Sequence, residues 1–136
     1  MTQTLRALVV DDMPVNRLLA VKLLVKAGWT VGEADDGPSA LTWLESAGPL
    51  DLMLLDISMP QMSGQELCRL IRERTLGGDG VRIVAYTAHA MPEDAASFRA
   101  EGFDAVLVKP ITRAALTDVL AGLGLAMTPP VKAAAS

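Results

Sequence analysis

Five short apolar runs, spaced by stretches of helix length, constrain this chain more than any other feature. LRALVV ends in Asp11-Asp12, WTVGEA in Asp35-Asp36, LDLMLL in Asp56, VRIVAY in Thr87 and DAVLV in Lys109-Pro110. Runs of this length with little polar alternation suit strands covered on both faces, as in parallel sheets with helical crossovers. Right-handed crossovers and short connections leave few topologies for such a chain. The expectation is an α/β fold, a (βα)5 doubly wound five-stranded parallel sheet of order 2-1-3-4-5. Ligands of such sheets sit beyond the carboxyl ends of the strands at the switch point, which here lies between strands one and three. Asp11, Asp12 and Asp56 would then share one crevice.

Local signals place the elements. Strands are expected from Leu5 to Val10, Trp29 to Ala34, Leu50 to Leu55, Val81 to Tyr86 and Ala105 to Val108. The first helix follows Asp12 as N-cap and Pro14 in the first turn, buries Leu18, Val21, Leu24 and Val25, and stops at Gly28. The second turns Ala40, Leu41 and Leu44 inward. The third, from Gly64 to Thr75, buries Leu67, Leu70 and Ile71, with Cys68 as a small apolar neighbour. The fourth runs from near Pro92 to Gly102 and the last from Thr112 to Leu123. Residues 1–4 read as an N-terminal extension, 5–123 as the domain, and 124–136 as a disordered tail or linker remnant with nothing to bury.

Composition adds bounds. A chain of 136 residues, 51% hydrophobic, suits one core and one domain. A formal net charge of −4 and no basic recognition helix argue against nucleic acid. One cysteine forms no internal disulfide and suits a reducing compartment. No apolar stretch is long enough for a membrane span or shaped as a signal peptide, so a cytoplasmic location is expected.

The crevice has a chemistry of its own. Three clustered carboxylates need a compensating charge, and a hard divalent cation such as Mg²⁺ supplies it through oxygen ligands, with Mn²⁺ able to substitute. Asp11 (directly or through a water), Asp12, Asp56 and the backbone carbonyl of Ser58 make a ligand set. Asp56 keeps an oxygen that can attack phosphorus. Lys109 and the Thr87 hydroxyl would meet the oxygens of the acquired phosphoryl group. Pro110 turns the chain after Lys109, and a cis bond is one way to hold that turn. Each residue alone has a plainer reading as a cap, turn or solvated strand end. Their coincidence on four strand exits favours a site.

LVVDDMPVNR, LMLLDISMPQMSG, IVAYTAHAM and DAVLVKPI together resemble the receiver domain of two-component response regulators, over about residues 5–123. The resemblance implies the CheY-like, flavodoxin-like fold, Asp56 as phosphoacceptor, Asp11, Asp12 and Asp56 around Mg²⁺, and Thr87 and Lys109 on the phosphoryl group. It implies a phosphohistidine donor on a histidine kinase or a histidine phosphotransfer protein. The TAHAM and DDMPVNR strings resemble receivers associated with hybrid histidine kinases. The chain would be a phosphorylation switch that assists its own phosphorylation and dephosphorylation rather than an enzyme. It would act as a single-domain regulator or as part of a hybrid kinase, and as a monomer or weak homodimer.

Two features depart from the family pattern. Many receivers carry an aromatic residue three positions before the strand-five lysine, where this chain has Val106; Phe103 lies before the strand. His89 and Ser58 are candidate modulators of water at the site mouth, although His89 also reads as a solvated loop residue. Val15, Leu19, Pro110 and Ile111 are candidates for docking a partner helix. A Mg²⁺-dependent phosphatase or phosphotransferase of the haloacid-dehalogenase type is the enzyme alternative, but no DxD follows the first strand. A flavodoxin-like FMN carrier would place a phosphate against two carboxylates.

Overall fold

A computed structural model of the chain describes residues 5–88 and 92–125. The elements run β1 (Arg6–Val10), α1 (Pro14–Lys26), β2 (Thr30–Ala34), α2 (Gly37–Ala47), β3 (Leu52–Asp56), α3 (Gly64–Glu73), β4 (Arg82–Thr87), α4 (Pro92–Ala100), β5 (Ala105–Val108) and α5 (Arg113–Gly122). All neighbouring strands pair in parallel, in the order β2-β1-β3-β4-β5. The expected fold is the observed one, with element ends shifted by a residue or two. The central strand β3 is buried along its whole length, as its unbroken apolar run requires.

Alternation along the strands divides the core in two. Ala7, Val9, Leu54, Val84, Tyr86 and Leu107 face α1 and α5, whose Ala20, Leu24, Leu116 and Leu120 are buried against them. Leu8, Val10, Met53, Leu55, Ile83 and Ala85 face α2, α3 and α4. Cys68 is buried there with Leu67 and Ile71.

Helix starts follow local chemistry. Asp36 accepts from the Ser39 N–H at 2.7 Å, Ser63 and Glu66 form a reciprocal capping box, and Thr112 accepts from the Ala115 N–H at 3.1 Å. α1 differs from the sequence expectation. Its N-cap is Met13, without a side-chain bond, so Asp12 does not cap it. Pro14 at the start brings no N–H to satisfy. Leu18 and Val25, expected inside, are 49% and 53% exposed, while Ala20, Val21 and Leu24 carry the contact. Apolar residues surround this helix, so spacing alone cannot select its inner face.

The edge opposite the strands' carboxyl ends is held by polar clamps. The Arg6 guanidinium donates to the carbonyls of Ala47 and Pro49, and the Arg6 N–H donates to Asp51 at 2.8 Å. Arg72 donates to the carbonyls of Val81 and Gly102 and to Asp104 at 2.7 Å, while Asp104 also accepts from the Ile83 N–H. These carboxylates are fully engaged in structure, which separates them from the acids at the other edge.

α3 starts directly against the end of β3. A β-carbon on Gly64 would collide with the Asp56 carbonyl oxygen and lie 2.9 Å from the Ile57 Cα, backbone that cannot swing aside. Gly64→Ala is therefore expected to lower stability by about 1–3 kcal/mol, as overpacking does. The urea midpoint measures this, and an unchanged midpoint would refute the close approach.

Candidate functional site

The topology brings four strand exits together. Asp11 directly follows β1, Asp56 ends β3, Thr87 ends β4 and Lys109 directly follows β5. Val10 pairs with Leu55, Asp56 with Tyr86, and Thr87 with Val108, so these ends lie level at one edge. By alternation Asp11, Asp56, Tyr86 and Lys109 belong to the α1/α5 face, and Thr87 to the other.

The two buried aspartates are each held by a backbone donor and a shared cation. Asp11 is fully buried; its Oδ1 accepts from the Met13 N–H at 2.8 Å and its Oδ2 lies 3.3 Å from Lys109 Nζ. Asp56 is 2% exposed, and its Oδ1 receives both the Ser58 N–H at 3.1 Å and Lys109 Nζ at 3.2 Å. Both restraints fall on one oxygen of Asp56. The Lys109 N–H donates to the Thr87 carbonyl at 2.7 Å, which fixes the end of β5 against β4. The Lys109–Pro110 peptide bond is cis.

Asp12 completes the cluster. Ligand oxygens of Asp11, Asp12 and Asp56 all lie within 4.8 Å of one another. Burial first, then the neighbouring Asp56 carboxylate, raises the pKa of Asp12 above its ordinary value. Asp11 Oδ2 is buried without a hydrogen-bond donor among the described residues, although Lys109 supplies charge. Three carboxylates against one ammonium leave negative charge uncompensated. A set of hard oxygen donors with an unfilled buried oxygen fits Mg²⁺, which takes oxygen ligands and dislikes softer ones.

The remaining sequence candidates fall as follows. Ser58 is exposed, and its N–H is the group held against Asp56. His89 lies outside the described residues. Ile111, expected to help dock a partner, is instead buried with Leu116 and Leu120 under α5. Its apolar side chain gains more from burial beside Leu116 and Leu120 than from exposure at the rim. Val106 is partly buried against the cluster that holds Phe98 and Phe103, whose rings meet edge to face at 5.7 Å.

Two residues escaped the sequence reading. Arg17 donates from Nη1 to the Asp11 carbonyl at 2.8 Å and pairs through Nε with Glu33 at 3.1 Å, tying the β1–α1 turn to β2. Its place on the first turn of α1, after the acidic pair, was the available signal. Tyr86 is wholly buried, with Lys109 Nζ 4.8 Å from its ring centroid. A hydroxyl-bearing ring beside Thr87 could have drawn attention, but strand propensity explains a tyrosine equally well.

Comparison with known proteins agrees with this geometry. A family model described as the response regulator receiver domain matches residues 7–121. The chain is 39% identical over 125 residues to the sensor histidine kinase GacS of Pseudomonas protegens, covering 90% of this chain and 14% of that protein. It is 39% identical over 114 residues to the sensor histidine kinase RcsC of Salmonella typhi, covering 84% and 12%. The chain thus spans a small part of the length of these relatives. Among solved structures, the chemotaxis protein CheY4 of Vibrio cholerae superposes with a TM-score of 0.81 at 29% identity, over 89% of this chain and 99% of that one. The response regulator TrrA of Thermotoga maritima, solved in complex with Mg²⁺ and BeF, gives 0.74 at 32% identity, over 88% and 99%.

The raised pKa of Asp12 has a consequence for stability. A carboxyl whose folded pKa exceeds its unfolded value binds more protons folded than unfolded between the two, so stability falls as pH rises through that window. At neutral pH in chelator, Asp12→Asn is expected to raise the melting temperature by about 2–4 °C. The gain should vanish on acidification below the ordinary carboxylate range. A gain that persists there would point to a cause other than charge.

Proposed function

The chain belongs to the response regulator receiver family, and we propose that it is a phosphorylation switch in which Asp56 is the phosphoacceptor. The observation that carries this reading is the asymmetric hold on Asp56. Lys109 and the Ser58 N–H both restrain Oδ1, which leaves Oδ2 as the nucleophile toward phosphorus. In the reaction a bond forms between Asp56 Oδ2 and phosphorus as the bond from phosphorus to a donor nitrogen or oxygen breaks. The electron pair leaves with the donor, a phosphohistidine imidazole or a small acyl phosphate. The product is an acyl phosphate on the central strand.

The chain's residues divide the remaining work. Lys109 moves its ammonium toward the new phosphoryl oxygens, and the Thr87 hydroxyl donates to one of them. Asp11, Asp12, Asp56 and the Ser58 carbonyl would hold Mg²⁺ or Mn²⁺, which when bound supplies neutralisation of the crowded anions. The mostly buried position of Asp56 keeps water from the acyl phosphate, and Ser58 and His89 are the candidate modulators of its approach. In this reading the chain assists its own phosphorylation and dephosphorylation, residues 5–123 form the switch, and the module works in solution rather than in a membrane. No helix among the described residues is long and apolar enough to cross one.

The partner we propose is a helix of a histidine kinase or phosphotransfer protein. Met13, Val15, Leu18 and Leu19 are exposed on and just before α1, with Val15 76% exposed. An apolar outer face at the rim of the acidic crevice suits a docked helix that presents its phosphohistidine to Asp56. With Ile111 buried, α1 supplies this face together with the exposed Pro110.

Incubation with acetyl phosphate and Mg²⁺ is expected to add one phosphoryl group, read by intact mass, and chelator should prevent it. Asp56→Asn should lose at least about 100-fold in rate, since a nucleophile is removed. An Asp56→Asn protein phosphorylated at the original rate would sink the assignment.

A second expectation concerns Val106. A β-branched aliphatic side chain has few rotamers and little reach, so it cannot follow Thr87 as a ring would. Amide exchange with beryllofluoride should therefore gain protection in residues 56–64 and 87–92. Large protection centred on Val106 would show that this strand transmits the switch after all.

A further inference from the structure

Tyr86 has no part in the reaction just described, yet its ring lies against the cation that the reaction needs. It precedes Thr87 on β4, and its register neighbours are Asp56 on β3 and Leu107 on β5. Its side chain shares the α1/α5 face with Asp11, Asp56 and Lys109. Lys109 Nζ is 4.8 Å from the ring centroid, 3.3 Å from Asp11 Oδ2 and 3.2 Å from Asp56 Oδ1. The ammonium therefore has three walls, two carboxylates and one π face.

The hydroxyl does not account for this placement. Tyr86 Oη is buried without a well-formed hydrogen bond among the described residues, the Ile111 backbone being the polar group near it, whereas a buried phenol ordinarily makes one. Burial and the nearby Asp11 carboxylate, against an opposing contribution from the Ile111 backbone, push its pKa up to about 12, so the ring stays neutral. An aliphatic side chain would fill the same core without stranding a hydroxyl. What only an aromatic residue adds is a negative face toward Lys109, and a cation within about 6 Å of a ring centroid is attracted by it.

We propose that Tyr86 is a positioning residue for Lys109, holding its ammonium at the phosphorylation site while the anions around it change. In the resting site the ammonium is shared by two carboxylates. Phosphorylation of Asp56 adds new oxygens, and the ammonium must turn toward them. Salt bridges to fixed oxygens resist such a shift. A contact with a ring face tolerates it, because the attraction varies slowly as the cation slides. The poorly screened surroundings strengthen the contact. The inference rests on the reading of Asp56 as phosphoacceptor and Lys109 as its phosphoryl contact.

The test varies the electronics of the ring at nearly constant shape. Tyr86 is replaced by Phe, then by Phe carrying two and three ring fluorines, in the full chain. Phosphorylation by acetyl phosphate with Mg²⁺ should stay near the original rate for Tyr86→Phe and fall stepwise with fluorination, about tenfold across the series. In the metal-free protein the NMR order parameter of the Lys109 ε-methylene should fall in the same steps. A support role in the core would follow shape, not ring charge, so a flat response in either measurement overturns the proposal. An Asp56→Asn protein that is still phosphorylated would overturn the underlying reading. A flat series alongside an inert Asp56→Asn removes the Tyr86 role alone.

Discussion

The ammonium of Lys109 between the carboxylates of Asp11 and Asp56 is the interaction on which this site depends. Two carboxylates that are almost wholly removed from water repel each other and have lost their hydration. One cation shared between them makes the arrangement tenable, and because it is shared it neutralises neither fully. Asp12 adds a third acid at the rim. The crevice is thus left with uncompensated negative charge, a condition that a divalent cation held by these oxygens would relieve.

The geometry follows from the sheet. In a parallel sheet the carboxyl ends of all strands reach one edge, and alternation assigns each side chain a face. Asp11, Asp56 and Lys109 share a face because each stands an even number of residues from a core position on its strand, Val9, Leu54 and Leu107. Insertion of one residue in any of these strands would send its site residue to the wrong layer. The opposite edge shows what happens to charges without a ligand to serve. Arg6 with Asp51, and Arg72 with Asp104, spend their bonding capacity on backbone groups and lock the strand starts.

Around this rigid frame, α1 plays two parts. Its inner face, Ala20, Val21 and Leu24, is core. Its first turn carries Arg17, which holds the Asp11 carbonyl and so steadies the turn that presents both acids. Its outer face exposes Val15, Leu18, Leu19 and Val25 to solvent, with Lys22 and Lys26 among them. A partner bound there would meet the phosphorylation chemistry at one end of the same helix. The Phe98–Phe103 pair and Val106 lie on the other side of the sheet, lining a cavity of about 300 Å³ with Arg99 and Ala105. Near β5 the aromatic rings on this side form an edge-to-face pair at Phe98 and Phe103, with an aliphatic residue at position 106.

The fold class, the strand order and the members of the acidic crevice are all written in the order of residues along the chain. Unbroken apolar runs specify buried parallel strands, and the residue at each run's end is placed by chain connectivity alone. Asp56, Thr87 and Lys109 were legible for that reason. Tertiary structure decided what periodicity cannot encode. Leu18 and Val25 lie outside because α1 has apolar residues on more than one side, and only packing against β1 and β2 chooses a face. Asp12 keeps its expected place in the crevice but not its role as cap, because the N-cap of α1 lies one residue later, at Met13. Ile111 is inside because the seating of α5 leaves it a place beside Leu116 and Leu120. The contacts of Arg17 with Asp11 and of Tyr86 with Lys109 join groups whose meeting depends on helix rotation and strand register. These are properties of the packed molecule, because each is the outcome of competition among many weak contacts rather than of any local signal.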